Sequence, residues 1–331
     1  MATKYVILGS NSFSGQDFID LVLDRADGPV IGVSRSSQYP RFRLRYRERD
    51  DLSHFRFVQL DMNRDMGALL ELLDRERPSH IVNFAAQSEV APSWEYPDQW
   101  FETNTVALAK LVNHLRRRDY LERYLHISSP EAYGNCTGNV TEATPDNPST
   151  PYAASKAAAD MLVSVYQKQY GFPAMFIRAT NVYGARQQLF KIIPRTVIYL
   201  KLGRKIELHG GGVAVKSYIH IRDVSEGAWT VLTRGTVGER YHLSPDSAIA
   251  IRDVVQVIGN RLGKRFGDCV VVVAERPGQD ASYVIDSTKV REAFGWRPKI
   301  AFEAGIVEVI DWVEQNWDAI SRESLDYAHK P

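Results

Sequence analysis

The chain reads as an α/β protein built on a doubly wound parallel sheet, joined to a smaller, mainly α lobe. Three observations predict this. Short apolar runs (Tyr5–Leu8, Val30–Val33, Ile81–Asn83, Phe176–Arg178) alternate with amphipathic helical patterns, the order of a parallel sheet with crossover helices. The first run passes straight into a turn of small residues and then a helix. At 331 residues the chain is long enough for a second lobe after the sheet.

Taken in order, Tyr5–Leu8 runs into Gly9-Ser10-Asn11-Ser12-Phe13-Ser14-Gly15, and a helical pattern follows through Phe18, Ile19 and Val22. Strand, small-residue turn and helix form the geometry that seats a dinucleotide pyrophosphate on a helix N-terminus, the Rossmann-type arrangement. Gly9, Asn11, Ser12, Phe13, Ser14 and Gly15 are the candidate cofactor residues here. A turn of this composition is also often only a turn. The second strand ends in Ser34-Arg35-Ser36-Ser37, where an NAD site usually places an acid on the ribose. A guanidinium flanked by hydroxyls suits a 2′-phosphate, so Ser34, Arg35 and Ser36 point to NADP(H). The alternative is that Arg35 stacks on adenine and the cofactor is NAD. Arginines 41, 43, 45, 47 and 49 form either a solvated loop or an extension of the phosphate surface.

Phe57–Met62 reads as a third strand, with Asp61 placed to reach the adenine amino group and Met62 beside it; a helix follows from Met66 to Leu73. Past the next strand, the small residues of Phe84-Ala85-Ala86-Gln87-Ser88 would let the backbone lie against the cofactor. The stretch His126–Lys156 carries the chemistry. Ser129 closes an apolar run, and Tyr152-x-x-x-Lys156 opens a helix on which positions i and i+4 share a face. The Lys156 ammonium is then placed to favour ionisation of the Tyr152 phenol, and Ser129 to supply a second hydrogen bond. That equipment moves hydride to or from a carbinol carbon. The bland reading is a surface pair at helical spacing.

The spacing Gly9-x-x-Ser12-x-x-Gly15 resembles the Gly-x-x-Gly-x-x-Gly of short-chain dehydrogenases/reductases, with serine at the middle position. From Tyr5 to about Pro298 the chain resembles the extended branch of that superfamily acting on nucleotide-activated sugars. Ala85-Ala86-Gln87-Ser88 followed by Val90 and Ser93, and Arg35-Ser36-Ser37, are similar to GDP-mannose 4,6-dehydratases. Asn181-Val182-Tyr183-Gly184, Lys191-Ile192-Ile193-Pro194 and Arg276-Pro277-Gly278-x-Asp280 are similar to sugar-nucleotide dehydratases and epimerases generally.

The resemblance implies a 4,6-dehydratase with bound NADP (NAD as the alternative) acting on a nucleotide-diphosphate sugar. Ser129, Glu131, Tyr152 and Lys156 are its implied catalytic residues, with Glu131 the base for the sugar C5 proton. The residue that protonates the leaving hydroxyl in the family corresponds to Pro130, which has no proton to give; water or Tyr152 would substitute. Glu131 is also compatible with a decarboxylase, or with a loop carboxylate capping a turn. Asn104 and Ser128 are implied on the cofactor, with helix packing the alternative for Asn104. Ser88, Glu89, Asn181, Gln188, Lys191, Lys216 and Arg276 are implied on the sugar nucleotide, Lys216 standing where the family has an arginine on the diphosphate.

The implied division is 1–180 for the dinucleotide domain, completed by about 219–245, and 181–331 for the substrate lobe. Relatives' pairing implies a homodimer through the helix Asn104–Leu115 and the helix after Tyr152, with Ala157, Met161, Leu162 and Val165 at the contact. A net charge of +1 argues against a nucleic-acid surface, and two cysteines are too few for a zinc site or a disulfide framework. No apolar run reaches the ~20 residues of a membrane span, and no leader pattern opens the chain, so the expected setting is cytoplasmic. The rival readings are an epimerase or decarboxylase, an NADPH-dependent keto-sugar reductase, and a non-catalytic sugar-nucleotide binder.

Overall fold

The computed structural model describes residues 3–136, 138–274 and 282–330. Its centre is a seven-stranded, all-parallel sheet. In chain order its strands are β1 (Tyr5–Leu8), β2 (Val30–Ser34), β3 (Phe55–Gln59), β4 (His80–Asn83), β5 (Arg123–Ile127), β6 (Ala174–Ala179) and a last strand, Arg240–Leu243. In space the order is Arg240–Leu243, β6, β5, β4, β1, β2, β3, so the winding direction reverses between β1 and β4. Ligands bind at such a reversal, outside the carboxyl ends of the strands. The central strands β1 and β4 are buried along their whole length, which is why β1 reads as an unbroken apolar run rather than an alternating one. The third strand begins and ends earlier than expected. Asp61 and Met62 therefore lie beyond its carboxyl end, in the loop that lines the crevice.

Helix α1 (Phe13–Arg25) and the helix Ile221–Arg234 cover one face, burying Phe18, Ile19, Val22, Val224, Ala228 and Val231. Helix α2 (Met66–Glu76), the helix Ala107–Leu115 and the long helix Pro151–Tyr170 cover the other with Leu69, Leu73, Leu108, Leu111, Ala159 and Val163. Two arginines of the arginine-rich stretch pin it to α1: Arg45 pairs with Asp20 at 2.9 Å, and Arg49 with Asp20 and Asp24. Among those five arginines, Arg43 alone lines the crevice.

The smaller lobe packs the helices Ile192–Lys201, Ile251–Arg261 and Phe302–Gln315 around Val197, Ile198, Val254, Ile258, Ile306 and Val309. The chain leaves the sheet after β6 and returns through Ile221–Arg234 and Arg240–Leu243. Asp223 joins the two parts, accepting from the backbone N–H groups of Lys299 and Ile300 at 2.9 and 3.1 Å; the cap of its helix is His220.

Candidate active site

One cavity of about 400 Å³ follows the carboxyl ends of β1, β2 and β4, within the range of small-molecule sites. Gly9, Asn11, Ser12, Phe13, Ser34, Arg35, Ser36, Asp61, Met62 and the run Phe84 to Glu89 line it, together with Gln188. Ser12 at the middle glycine position has a local cause. It is the N-cap of α1, its Oγ accepting from the Gly15 N–H at 3.0 Å, which leaves the Phe13 and Ser14 amides as the open donors of the first turn. Gly9 has φ +81°, and a Cβ there would sit 2.6 Å from the Ala85 nitrogen. One on Gly15 would run into the Gly9 carbonyl. The turn is thus as close to its neighbours as backbone permits, and Gly15 and Ser14 form its frame rather than the cavity surface.

Asn11 fixes the rim. Its amide donates to the Ser36 and Ser37 carbonyls at 3.2 and 2.8 Å, while its own buried Oδ1 has no partner within the protein and is available to a ligand. Open helix-end amides, an unpartnered buried acceptor and a cradle with no room for side chains fit a dinucleotide.

The catalytic candidates form a second, more deeply buried cluster. Thr150 caps the helix Pro151–Tyr170, accepting from the Ala153 N–H at 3.1 Å, with Pro151 in the first position. This presents Tyr152 and Lys156 from the first two turns towards the end of β5. There Ser129 caps the short turn Pro130–Tyr133 and accepts from the Glu131 N–H at 3.2 Å. Pro130 takes the first position of that turn, where no backbone N–H is needed. Burial raises the Tyr152 phenol above its ordinary range, the charges of Glu131 and Glu89 raise it further, and the nearby Ser129 hydroxyl opposes them. Lys156 donates to the Ile127 carbonyl at 2.7 Å, and burial lowers it to about 8 against the opposing pull of Asp160. Lys156 was expected to favour the ionised phenol; in this structure burial is the larger influence on that group.

Behind Lys156 lies a buried network that pattern reading missed. Asp160, with no exposed surface, accepts from Ser128 Oγ at 2.7 Å and from Arg178 at 2.6 Å; Arg178 also pairs with Asp146 at 2.7 Å. Ser128 thus faces this network rather than the cavity. The signals were present: an acid one further helical turn past Lys156, and a charge inside the apolar strand β6.

Asn104 lies in a π turn, Glu102–Val106, within the wall rather than on the cavity surface. Its side chain accepts from the Gln87 N–H at 2.9 Å, and donates to the Gln87 carbonyl at 3.0 Å and Ser155 Oγ at 2.9 Å. It joins the loop at Gln87 to the helix that carries Tyr152 and Lys156.

Of the substrate candidates, Ser88, Glu89 and Gln188 line the cavity, and Lys191 pairs with Glu89 at 2.8 Å. Asn181 is instead tied to the Ser217 carbonyl at 3.2 Å. Lys216 lies on a short strand paired with Ile249–Ala250, away from the cavity lining. Arg276 falls outside the described residues. Arg186 was not anticipated. It lines the cavity with φ +74° and pairs with Glu48 at 2.6 Å.

A dinucleotide cradle beside a Ser–Tyr–Lys set and a glutamate defines an extended short-chain dehydrogenase/reductase of the kind that acts on nucleotide sugars. The comparisons with known proteins agree. The model of the GDP-mannose 4,6 dehydratase family matches residues 6–309, and the chain belongs to that family. A dTDP-glucose 4,6-dehydratase of Xanthomonas campestris pv. campestris is 35% identical over 282 residues, covering 79% of this chain and 80% of that protein. Its counterpart in Mycolicibacterium smegmatis is 32% identical over 318 residues, covering 95% and 94%. Among solved structures, the dTDP-glucose 4,6-dehydratase DesIV of Streptomyces venezuelae, with NAD bound, superposes with a TM-score of 0.89. It is 30% identical and covers 96% of this chain and 98% of that one. Among the described residues no helix is long and apolar enough to cross a membrane, and no group of side chains has the makings of a metal site.

Proposed function

We propose that this nucleotide-sugar 4,6-dehydratase converts a nucleoside-diphosphate hexose to its 4-keto-6-deoxy derivative, with dTDP-glucose, the substrate in its relatives' names, the first to test. The observation that carries the reading is the burial together of Ser129, Tyr152 and Lys156 beside the dinucleotide cradle, with Glu131 held on the same short turn by its N–H bond to Ser129. The bound oxidised dinucleotide would supply a hydride acceptor at sugar C4 and later a donor at C6, and its positive ring would join Lys156 in offsetting burial at the phenol.

Tyr152 takes the C4 hydroxyl proton, with Ser129 holding the same oxygen, as hydride leaves C4. Glu131 then removes the C5 proton, made acidic by the new ketone. The C6 hydroxyl departs as water, carrying the proton that Tyr152 gained or one relayed through solvent, since Pro130 has none. Hydride returns to C6, and C5 regains a proton from Glu131. Nothing is consumed but the hexose, and one water is released.

Two finer readings accompany this one. The tip of β2 holds Ser34, Arg35, Ser36 and Ser37 and no carboxylate, which supports NADP as the resident cofactor; the relatives' NAD is the competing outcome. Met161 and Val165 stand exposed on the Tyr152 helix beside Phe101 and Val106 of the neighbouring helix, which supports a homodimer through that face. Ala157 is buried and Leu162 packs into the core, so the contact expected there narrows to Met161 and Val165. The test of the activity is mass spectrometry of protein incubated with dTDP-, GDP-, UDP- and CDP-hexoses and no added cofactor. A product lighter by one water supports the reading. An unchanged mass with altered stereochemistry, loss of carbon dioxide from a uronate, or turnover only with NADPH and a keto sugar would replace it.

A further inference from the structure

Beyond Ile320 the described residues form no helix or strand, yet they are tied down across the mouth of the dinucleotide cavity. Glu323, Tyr327 and Lys330 line the same cavity as Gly9, Asp61 and Gln188. On the β2 side, Arg43 pairs with Glu323 at 2.7 Å, and the Lys330 ammonium lies 6.0 Å from the centre of the Tyr39 ring. On the β4 side, the Gln87 amide donates to the Lys330 carbonyl at 2.6 Å. The His329 ring lies parallel to Tyr96 and Trp100, 4.7 and 5.5 Å between centres, with Nε2 2.6 Å from Gln99 Oε1. From the smaller lobe, Phe190 meets Tyr327 edge-on at 5.4 Å. One irregular segment therefore holds both walls of the crevice and both lobes.

We propose that residues 323–330 are a strap that retains the dinucleotide, a part of the cofactor site that the glycine-rich turn and the β2 tip do not supply. The inference rests on the reading that this cavity holds NAD(P). A dinucleotide lying along the strand ends leaves only after Gln87–Lys330, Arg43–Glu323 and the His329 stack have let go, at least in part. Such retention suits redox-neutral chemistry, in which hydride taken from the sugar returns to it and the cofactor need not exchange between turnovers. A reductase that discharged oxidised cofactor each cycle would be slowed by the same strap.

The test measures release rather than activity. Protein loaded with NADPH is mixed with excess NADP⁺, and the loss of reduced-nicotinamide fluorescence gives the release rate. Three variants are compared with the intact chain: His329→Ala, Glu323→Gln, and deletion of residues 326–331, which spares Leu325 where it packs on the smaller lobe. The strap predicts release faster by about ten-fold or more in the deletion, about 1.4 kcal/mol if association is unchanged, and smaller increases in the point variants, with unchanged melting curves. Release as slow in the deletion as in the intact chain overturns it. So does unchanged release with faster sugar turnover, which would make the segment a block to the sugar instead. If the intact chain binds neither NADPH nor NADH, the cofactor reading fails first and the strap falls with it, an outcome distinct from tight binding that the deletion leaves untouched.

Discussion

Replacing Asp160 with asparagine tests whether the buried network supports Lys156 in its proposed role. In the native protein this carboxylate sits without exposed surface between Ser128 Oγ at 2.7 Å, Arg178 at 2.6 and 3.2 Å, and His126 at 3.4 Å. Its pKa is well below the carboxylate range: burial opposes this, but His126, Arg178 and Arg240 together prevail. Breaking a buried pair from one side usually costs ~3–5 kcal/mol, and the Asp146 contact that Arg178 keeps places Asp160→Asn near the lower end, ~3 kcal/mol. At ~2.1 cal/mol/K of unfolding entropy per residue, a chain of 331 residues loses ~4 °C of Tm for that sum.

The kinetic consequence is separate. Asp160 is what raises Lys156 against burial and Arg178, so without it the lysine loses its proton at lower pH and the alkaline limb of the rate profile shifts down. Differential scanning calorimetry and a pH–rate profile read the two effects. An unchanged Tm together with an unmoved alkaline limb would refute the assignment of Asp160 as a positioning residue; a lower Tm with an unmoved limb would leave it a structural one.

Three further outcomes are expected. Glu131→Gln lowers turnover by ~10²–10⁴-fold while leaving C4 oxidation possible, so reduced cofactor accumulates on the protein and is seen by absorbance; full turnover would remove Glu131 from the mechanism. Arg35→Ala reduces the preference for NADP over NAD by roughly 10- to 100-fold, the size of one charge-assisted hydrogen bond, as measured by titration calorimetry; a native protein that binds both equally would contradict it. Lys156, at about 8 in the folded protein, gives activity that holds below that pH and falls above it. Its effect on stability has the opposite sign. Between about 8 and 10.5 the unfolded chain binds a proton that the native state has released, so this group's contribution rises with pH. Chemical denaturation across that range separates the two.

The sheet was legible because strands buried on both faces must be continuous apolar runs and their crossover helices amphipathic. Tyr5–Leu8 and the helix after Phe13 carry those signatures without ambiguity. The dinucleotide turn was legible for a similar reason, since close backbone approach restricts residue type. Less visible was whatever depends on pairing between distant segments. Asp160, Arg178 and Asp146 look like ordinary charges until folding removes water from all three. Asn104 has nothing in its neighbours to say that it bonds the Gln87 backbone. The segment 323–330 has no periodicity at all, and only the fold shows that it crosses the cavity. Lys216 and Asn181, which the motifs singled out, lie outside the lining of this cavity, Lys216 on a short paired strand and Asn181 bonded to the Ser217 carbonyl.

The central claim is that hydride taken from C4 returns to the same sugar at C6 while water is lost. The measurement that tests it most directly uses dTDP-glucose carrying deuterium at C4, with the product examined by mass spectrometry and deuterium NMR. The account predicts a product lighter by one water, with the label in its C6 methyl group. Label returned to C4, or lost to solvent with no loss of water, would contradict it.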